Sequence, residues 1–115
     1  MNLNFKNWEE FSVDGASVPF YKKADESSEY IGFETTSCTP PGPMVNAMFA
    51  LNLVKDKNTK VVMINHKFPA GLIPKIEDKF DYLRTDLDNG AVKIEFSLKD
   101  GAVLQAYDTN QVCHG

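Results

Sequence analysis

The sequence predicts a two-layer α+β sandwich, with a mixed sheet of four or five strands, two helices on one face and an N-terminal extension. Three observations carry this. From Tyr30 onward, β-rich runs alternate with helically spaced apolar residues in the order β-α-β-α-β-β. A strand, a helix and a second strand in succession imply a right-handed parallel crossover. Two helices can cover only one face of a small sheet. A chain of 115 residues has room for one core.

The first 28 residues read differently from the rest. Residues 1–16 mix Asn, Lys and Glu with Phe5, Trp8, Phe11 and Val13, and end at the turn dipeptide Asp14-Gly15. Ser17-Val18-Pro19-Phe20-Tyr21 is a candidate edge strand, because Pro19 has no N–H to give a ladder. Ala24 to Glu29 reads as a polar loop. Tyr30 to Thr36, rich in aromatic and β-branched residues, is the first strand of the regular pattern.

Thr39-Pro40-Pro41-Gly42-Pro43 cannot lie inside a strand, but prolines suit the first turn of a helix. The helix runs from about Pro41 to Val54, with Met44, Ala47, Met48, Leu51 and Val54 on its main face. Lys60-Val61-Val62-Met63-Ile64-Asn65 has the continuous apolar character of a central strand. Pro69, Leu72, Ile73, Ile76 and Phe80 space as a second, shorter helix. Asp81 to Leu87 and Ala91 to Leu98 form a hairpin around Asp88-Asn89-Gly90, and Ala102 to Tyr107 is a candidate fifth strand. The last eight residues read as frayed.

Composition narrows the function classes. Hydrophobic residues make up 43% and charged residues 24%, which argues against a disordered chain. Twelve Lys and Arg against 16 Asp and Glu give a net charge of −4, so a nucleic-acid partner is not expected. The longest apolar stretch, Met44 to Val54, is broken by Asn46 and Asn52 and is too short to cross a bilayer. Met1 is followed by Asn, Lys and Glu rather than a basic and then apolar run, so no secretory signal is expected. Two cysteines are too few for a disulfide scaffold. The expectation is a cytoplasmic protein without a membrane partner, monomeric or weakly homodimeric.

At Pro40-Pro41-Gly42-Pro43-Met44, followed by a helix through Ala50-Leu51, the chain resembles the TusA/SirA family of small sulfur carriers. Ile64-Asn65-His66-Lys67-Phe68-Pro69 and Ile73-Pro74 extend the likeness, which spans roughly residues 29–99. The hallmark of that family is Cys-Pro-x-Pro at the start of the first helix, its cysteine bearing a persulfide. Here the aligned residue is Pro40, which carries no sulfur. The chain is most similar to an uncharacterised branch with Pro-Pro-x-Pro in that place, for which the resemblance implies a fold and no established activity. The expected TusA/SirA-like domain is residues 29–115; residues 1–28 have no counterpart in the family and are expected, from their aromatic residues, to pack on it as an extension. The motif scaffold preserved without its nucleophile leads to the expectation of non-enzymatic binding of a small ligand or a protein partner of the sulfur-relay or redox kind. The binding edge would comprise Thr39, Pro40, Pro41, Gly42, Pro43, Met44, His66 and Lys67, shaped by three prolines and favourable to anions through the helix N-terminus.

The alternative is a sulfur carrier or sulfurtransferase accessory with its persulfide on Cys38. A thiol near a helix N-terminus is made more reactive by the backbone N–H groups. Cys38 precedes the family position by two residues, a displacement of about 6 Å along an extended chain. The plainer reading, a small partly buried residue at a strand end, is preferred. His66 follows the second strand as Cys38 follows the first, so parallel strands put both at one sheet edge. There His66 is either a base near neutral pH or a solvated loop residue. Cys38, His66, Cys113 and His114 lack the paired spacing of a structural zinc site, and no metal or cofactor is expected. Acid–base carboxylate pairs, a nucleophile elbow, a P-loop and a dinucleotide fingerprint are all missing from the sequence. A second apolar row on the first helix, Val45, Phe49 and Leu53, needs its own cover: a dimer, a partner, or the extension through Trp8, Phe11 and Phe20. Cover by the extension is preferred.

Overall fold

The computed structural model describes residues 5–39 and 41–102. Eight elements follow in order: β1 (Glu9–Phe11), β2 (Phe20–Ala24), β3 (Glu29–Glu34), α1 (Gly42–Leu51), β4 (Thr59–Asn65), α2 (Ile73–Ile76), β5 (Phe80–Asp86) and β6 (Val92–Leu98). They form an α+β fold on one mixed sheet of six strands in the order β1-β2-β3-β4-β6-β5. The pairing of β3 with β4 is parallel, Glu29 opposite Thr59 through Glu34 opposite Ile64, and every other pairing is antiparallel.

Six strands replace the expected four or five because residues 9–24 add two strands to the sheet. Pro19 stands just before β2 rather than inside it, so β2 is flanked on both sides and β1 becomes the edge. The candidate strand over 102–107 lies, apart from Ala102, outside the described residues.

Strand alternation gives the sheet two unequal faces. On one, Phe20, Ile31, Phe33, Val61, Met63, Ile94 and Phe96 meet Met44, Ala47, Met48 and Leu51 of α1 and Ile73 and Ile76 of α2. The other face carries a smaller cluster, Phe5, Tyr21, Val62, Ile64 and Ala91, with Trp8, Tyr30 and Leu87 beside it. Phe5 stacks on Tyr21 with ring centroids 5.0 Å apart and lies directly over Gly32, where a Cβ would overlap its ring. A glycine in mid-strand, which costs β stability, is thereby accounted for.

The extension meets α1 through Phe11, Val13, Ala16 and Val18, which pack on the same cluster as Val45, Phe49 and Leu53. The Phe49 ring lies over Gly15. Asn46, 1% exposed, accepts from the Ser17 amide at 3.0 Å and donates to the Ser17 hydroxyl and the Gly42 carbonyl at 2.8 Å each. Trp8 is not on this row. It packs against Phe5 and Tyr30 on the opposite face of the sheet.

Both helices are shorter than their apolar spacing suggests. Beyond Leu51, the amides of Leu53 and Val54 bond three residues back, to Ala50 and Leu51, so α1 tightens into a turn that still buries Val54. Around α2, Pro69 and Pro74 supply no N–H, and Leu72, Lys75 and Lys79 all bond three residues back, leaving Glu77 to Ile73 as a four-residue step. Leu72, Ile73, Ile76 and Phe80 are nonetheless buried.

Candidate functional site

Because β3 and β4 are parallel, their C-terminal ends reach the same edge of the sheet, which is where α1 begins. A buried polar pair ties these ends together. The Thr35 amide donates to the Ile64 carbonyl at 2.8 Å, and the Thr35 hydroxyl donates to Asn65 Oδ1 at 3.0 Å. Asn65 Nδ2 then donates to the Lys67 carbonyl at 3.0 Å. With Thr35 fully buried and Asn65 2% exposed, these bonds form away from water, and removing one partner would strand the other. They fix the direction in which the chain leaves β4.

That segment runs opposite the first turn of α1, and the two flank a half-open cavity of about 290 Å³. Pro41, Pro43 and Met44 form one wall, and Asn65 through Leu72 form the other. The interior is apolar, from Met44, Phe68, Pro69, Ala70 and Leu72, while His66 and Lys67 stand exposed at its rim. Among the described residues, no carboxylate lines it. Phe68 is held from outside: its ring is 5.5 Å from that of Tyr82, and the Arg84 guanidinium lies 5.0 Å over it.

Of the residues singled out from the sequence, Pro41, Pro43, Met44, His66 and Lys67 line this cavity together. Thr39 is exposed and, with Gly42, lies outside its lining; Pro40 falls outside the described residues. Cys38 is elsewhere, its Cβ facing Gly42 at the start of α1, and it is not among the lining residues. It thus lies beside the first residue of the helix, closer than the two-residue offset suggested. Burial pushes its thiol above the ordinary range, and a hydrogen bond with the Ser17 side chain opposes this. The thiolate needed for sulfur chemistry is therefore disfavoured.

The N-terminus of α1 is also a poorer anion site than expected. Pro43 has no N–H, the Gly42 amide donates to Thr39 at 2.8 Å, and the Val45 amide donates to Pro41 at 3.0 Å. A ligand placed in this cavity would meet a largely apolar interior, with the charge of Lys67 at the rim.

Among the described residues, no three His, Cys, Asp or Glu side chains come together to hold a metal. Cys113 and His114 lie outside the described residues. No helix among those residues is long and apolar enough to cross a membrane. A larger groove of about 450 Å³ opens at the other end of β3, bounded by Phe11, Ile31, Leu53 and several lysines. One of these, Lys22, is 3.5 Å from Glu9. Thr35, Asn65, Phe68 and Arg84 were not identified from the sequence as site residues. Asn65 had one signal, a polar residue closing an otherwise apolar run. Comparison with protein-family models, with curated proteins and with solved structures returns no match.

Proposed function

We propose that this protein is a cytoplasmic, non-enzymatic binding module of the TusA/SirA-like type, taking a small ligand or a short segment of a partner at the Pro41–Met44/His66 cavity. The observation that carries this is the half-open apolar groove itself. Two elements distant in sequence converge on an apolar space near the lower end of ordinary ligand pockets, about 300 Å³. A buried Thr35–Asn65 pair fixes one wall and prolines stiffen the other. The parallel β3–β4 crossover with a proline-entered helix supports the family reading.

A fragment screen followed by amide chemical shifts tests it. Fragments with an apolar body and an acidic group should perturb Met44, His66, Phe68 and Leu72, and a Met44→Ser/His66→Ala variant should lose the response. Fragments that perturb only other surfaces would refute the reading. The sulfur-carrier alternative has in its favour the place of Cys38 beside Gly42. Against it stand the raised thiol pKa and the position of Cys38 off the cavity wall.

A further inference from the structure

The sheet ends on one side in β1, three residues long, and on the other in β5, seven residues long. Among the described residues, no strand pairs with the outer side of β5. Among the described residues, the two large hydrophobic side chains that are exposed, Tyr82 at 44% and Leu83 at 66%, both lie on this strand.

Two bonds at its ends fix which backbone groups face outward. The Lys99 amide donates to the Lys79 carbonyl at 2.7 Å, and the Leu87 amide donates to the Ala91 carbonyl at 2.9 Å. Bonded and non-bonded residues alternate along an antiparallel ladder. Asp81, Leu83 and Thr85 therefore turn their N–H and C=O groups toward β6, whereas Tyr82 and Arg84 turn theirs to the side away from it. The side chains divide accordingly: Tyr82 and Arg84 stand on the helix-bearing face with Phe68, and Leu83 stands on the other.

We propose that β5 pairs antiparallel with β5 of a second copy of this chain, with Leu83 on the two-fold axis, so that the sheet continues across a dimer. The partner is a second copy because the strand complements itself. A two-fold axis normal to the sheet keeps like faces together and must pass through one residue of the strand. Through Leu83, the two Leu83 side chains cover each other, each Tyr82 faces an Arg84, and each Asp81 faces a Thr85. No like charges oppose. An axis through Arg84 sets two guanidinium groups together, and one through Asp81 sets two carboxylates together. An axis through Tyr82 places each Asp81 against a Leu83. The charges on β5 therefore disfavour those three registers; an axis through Thr85, which sets Arg84 against Asp86 and Leu83 against Leu87, is the competing register that the cross-links below distinguish.

In it the Tyr82–Arg84 pairs exchange four backbone hydrogen bonds, and the Leu83 pair is a close, non-bonded one with its Cα atoms about 4.5 Å apart. Such an interface falls below about 1,200 Å², so the dimer forms and dissociates readily.

Sedimentation velocity of the full chain over a concentration series should show the mass rising toward twice the monomer. Leu83→Lys, a change at an exposed side chain, should weaken association about tenfold or more. Register is tested by oxidation in a Cys38→Ser/Cys113→Ser background. Leu83→Cys should cross-link the dimer, since its Cα separation suits a disulfide. Thr85→Cys should not, because the two copies of that residue would be about 13 Å apart along the edge. A chain that stays monomeric at every concentration, an indifferent Leu83→Lys, or equal cross-linking at Thr85 would overturn the proposal.

Discussion

Replacing Gly32 with Ala tests why a glycine stands in the middle of β3. The new methyl would sit 2.8 Å from Phe5 Cδ1 and closer still to Cε1. Carbon atoms settle at about 3.5–4.0 Å, so the two cannot share the space. The ring is 1% exposed and stacked on Tyr21. Evicting it forfeits about 1.5–3 kcal/mol of burial and about 0.5–1.5 kcal/mol of ring pairing. Alanine in a strand recovers about 0.5–1 kcal/mol relative to glycine. The net expectation is a loss of about 1–4 kcal/mol, lowering Tm by about 4 °C for each kcal/mol. Urea unfolding of wild type, Gly32→Ala, Phe5→Ala and the double variant measures it. With Phe5 already removed, Gly32→Ala should be neutral or slightly stabilising, so the two changes should be strongly non-additive. Additive effects would show that the Phe5 ring does not rest on Gly32, and the account of the second face would fail.

Asn46→Ala should destabilise by about 1–3 kcal/mol, because the buried amide is the partner of Ser17 and of the Gly42 carbonyl; an unchanged urea midpoint would contradict this. Cys38 should react with iodoacetamide at pH 8 more slowly than a free thiol, since burial raises its pKa. After incubation with a cysteine desulfurase and cysteine, intact mass should show no added sulfur atom; an adduct lost on Cys38→Ser would favour the sulfur-carrier alternative. Lys57 and Asp100 form an exposed pair at 2.6 Å, whose hydrogen bond lowers the Asp100 carboxyl and raises the Lys57 amine. Asp100 contributes above its unfolded pKa of about 3.9 and loses that contribution as pH falls through its lower folded value. Lys57 contributes below about 10.4 and loses its contribution as pH rises through its raised folded value. The stability gap between wild type and Asp100→Asn should hold across neutral pH and close toward both extremes; a gap that persists in strong acid would refute the pairing.

The elements legible in the sequence were those whose period and burial agree. Tyr30 to Thr36, the proline-entered helix, the apolar run to Asn65 and the Asn89-Gly90 hairpin each combine a pattern with a stop signal. The strands of the extension lacked that agreement. Glu9-Glu10-Phe11 is short and acidic, and Lys22 and Lys23 make β2 look polar. In the fold, Lys22 Nζ lies 5.3 Å from the Phe11 ring centre, and Lys23 Nζ lies 5.0 Å from that of Trp8 and 5.3 Å from that of Tyr30. Charged heads over aromatic rings let polar residues serve a sheet. Trp8 lies on the face opposite the expected one because it stands three residues from Phe11, and an odd spacing in extended chain sends two side chains to opposite faces.

The site was legible to the same degree and for the same reason. A parallel crossover brings the ends of two strands to one edge, so Cys38 and His66 could be assigned there from topology. Which side of α1 each one meets depends on the loop that follows its strand. The Cys38 amide turns back to Thr35 at 3.0 Å, and its side chain faces Gly42. Asn65 sends the other strand's exit across the prolines instead. The prolines have two effects that spacing alone does not separate. They stiffen the entrance to α1, and they strip it of the N–H donors that would hold an anion. Here the wall is donor-poor, and the positive charge lies across the gap on Lys67. That distribution suits a ligand held by its apolar body and oriented by its charged end, which is why the proposal is recognition rather than sulfur transfer.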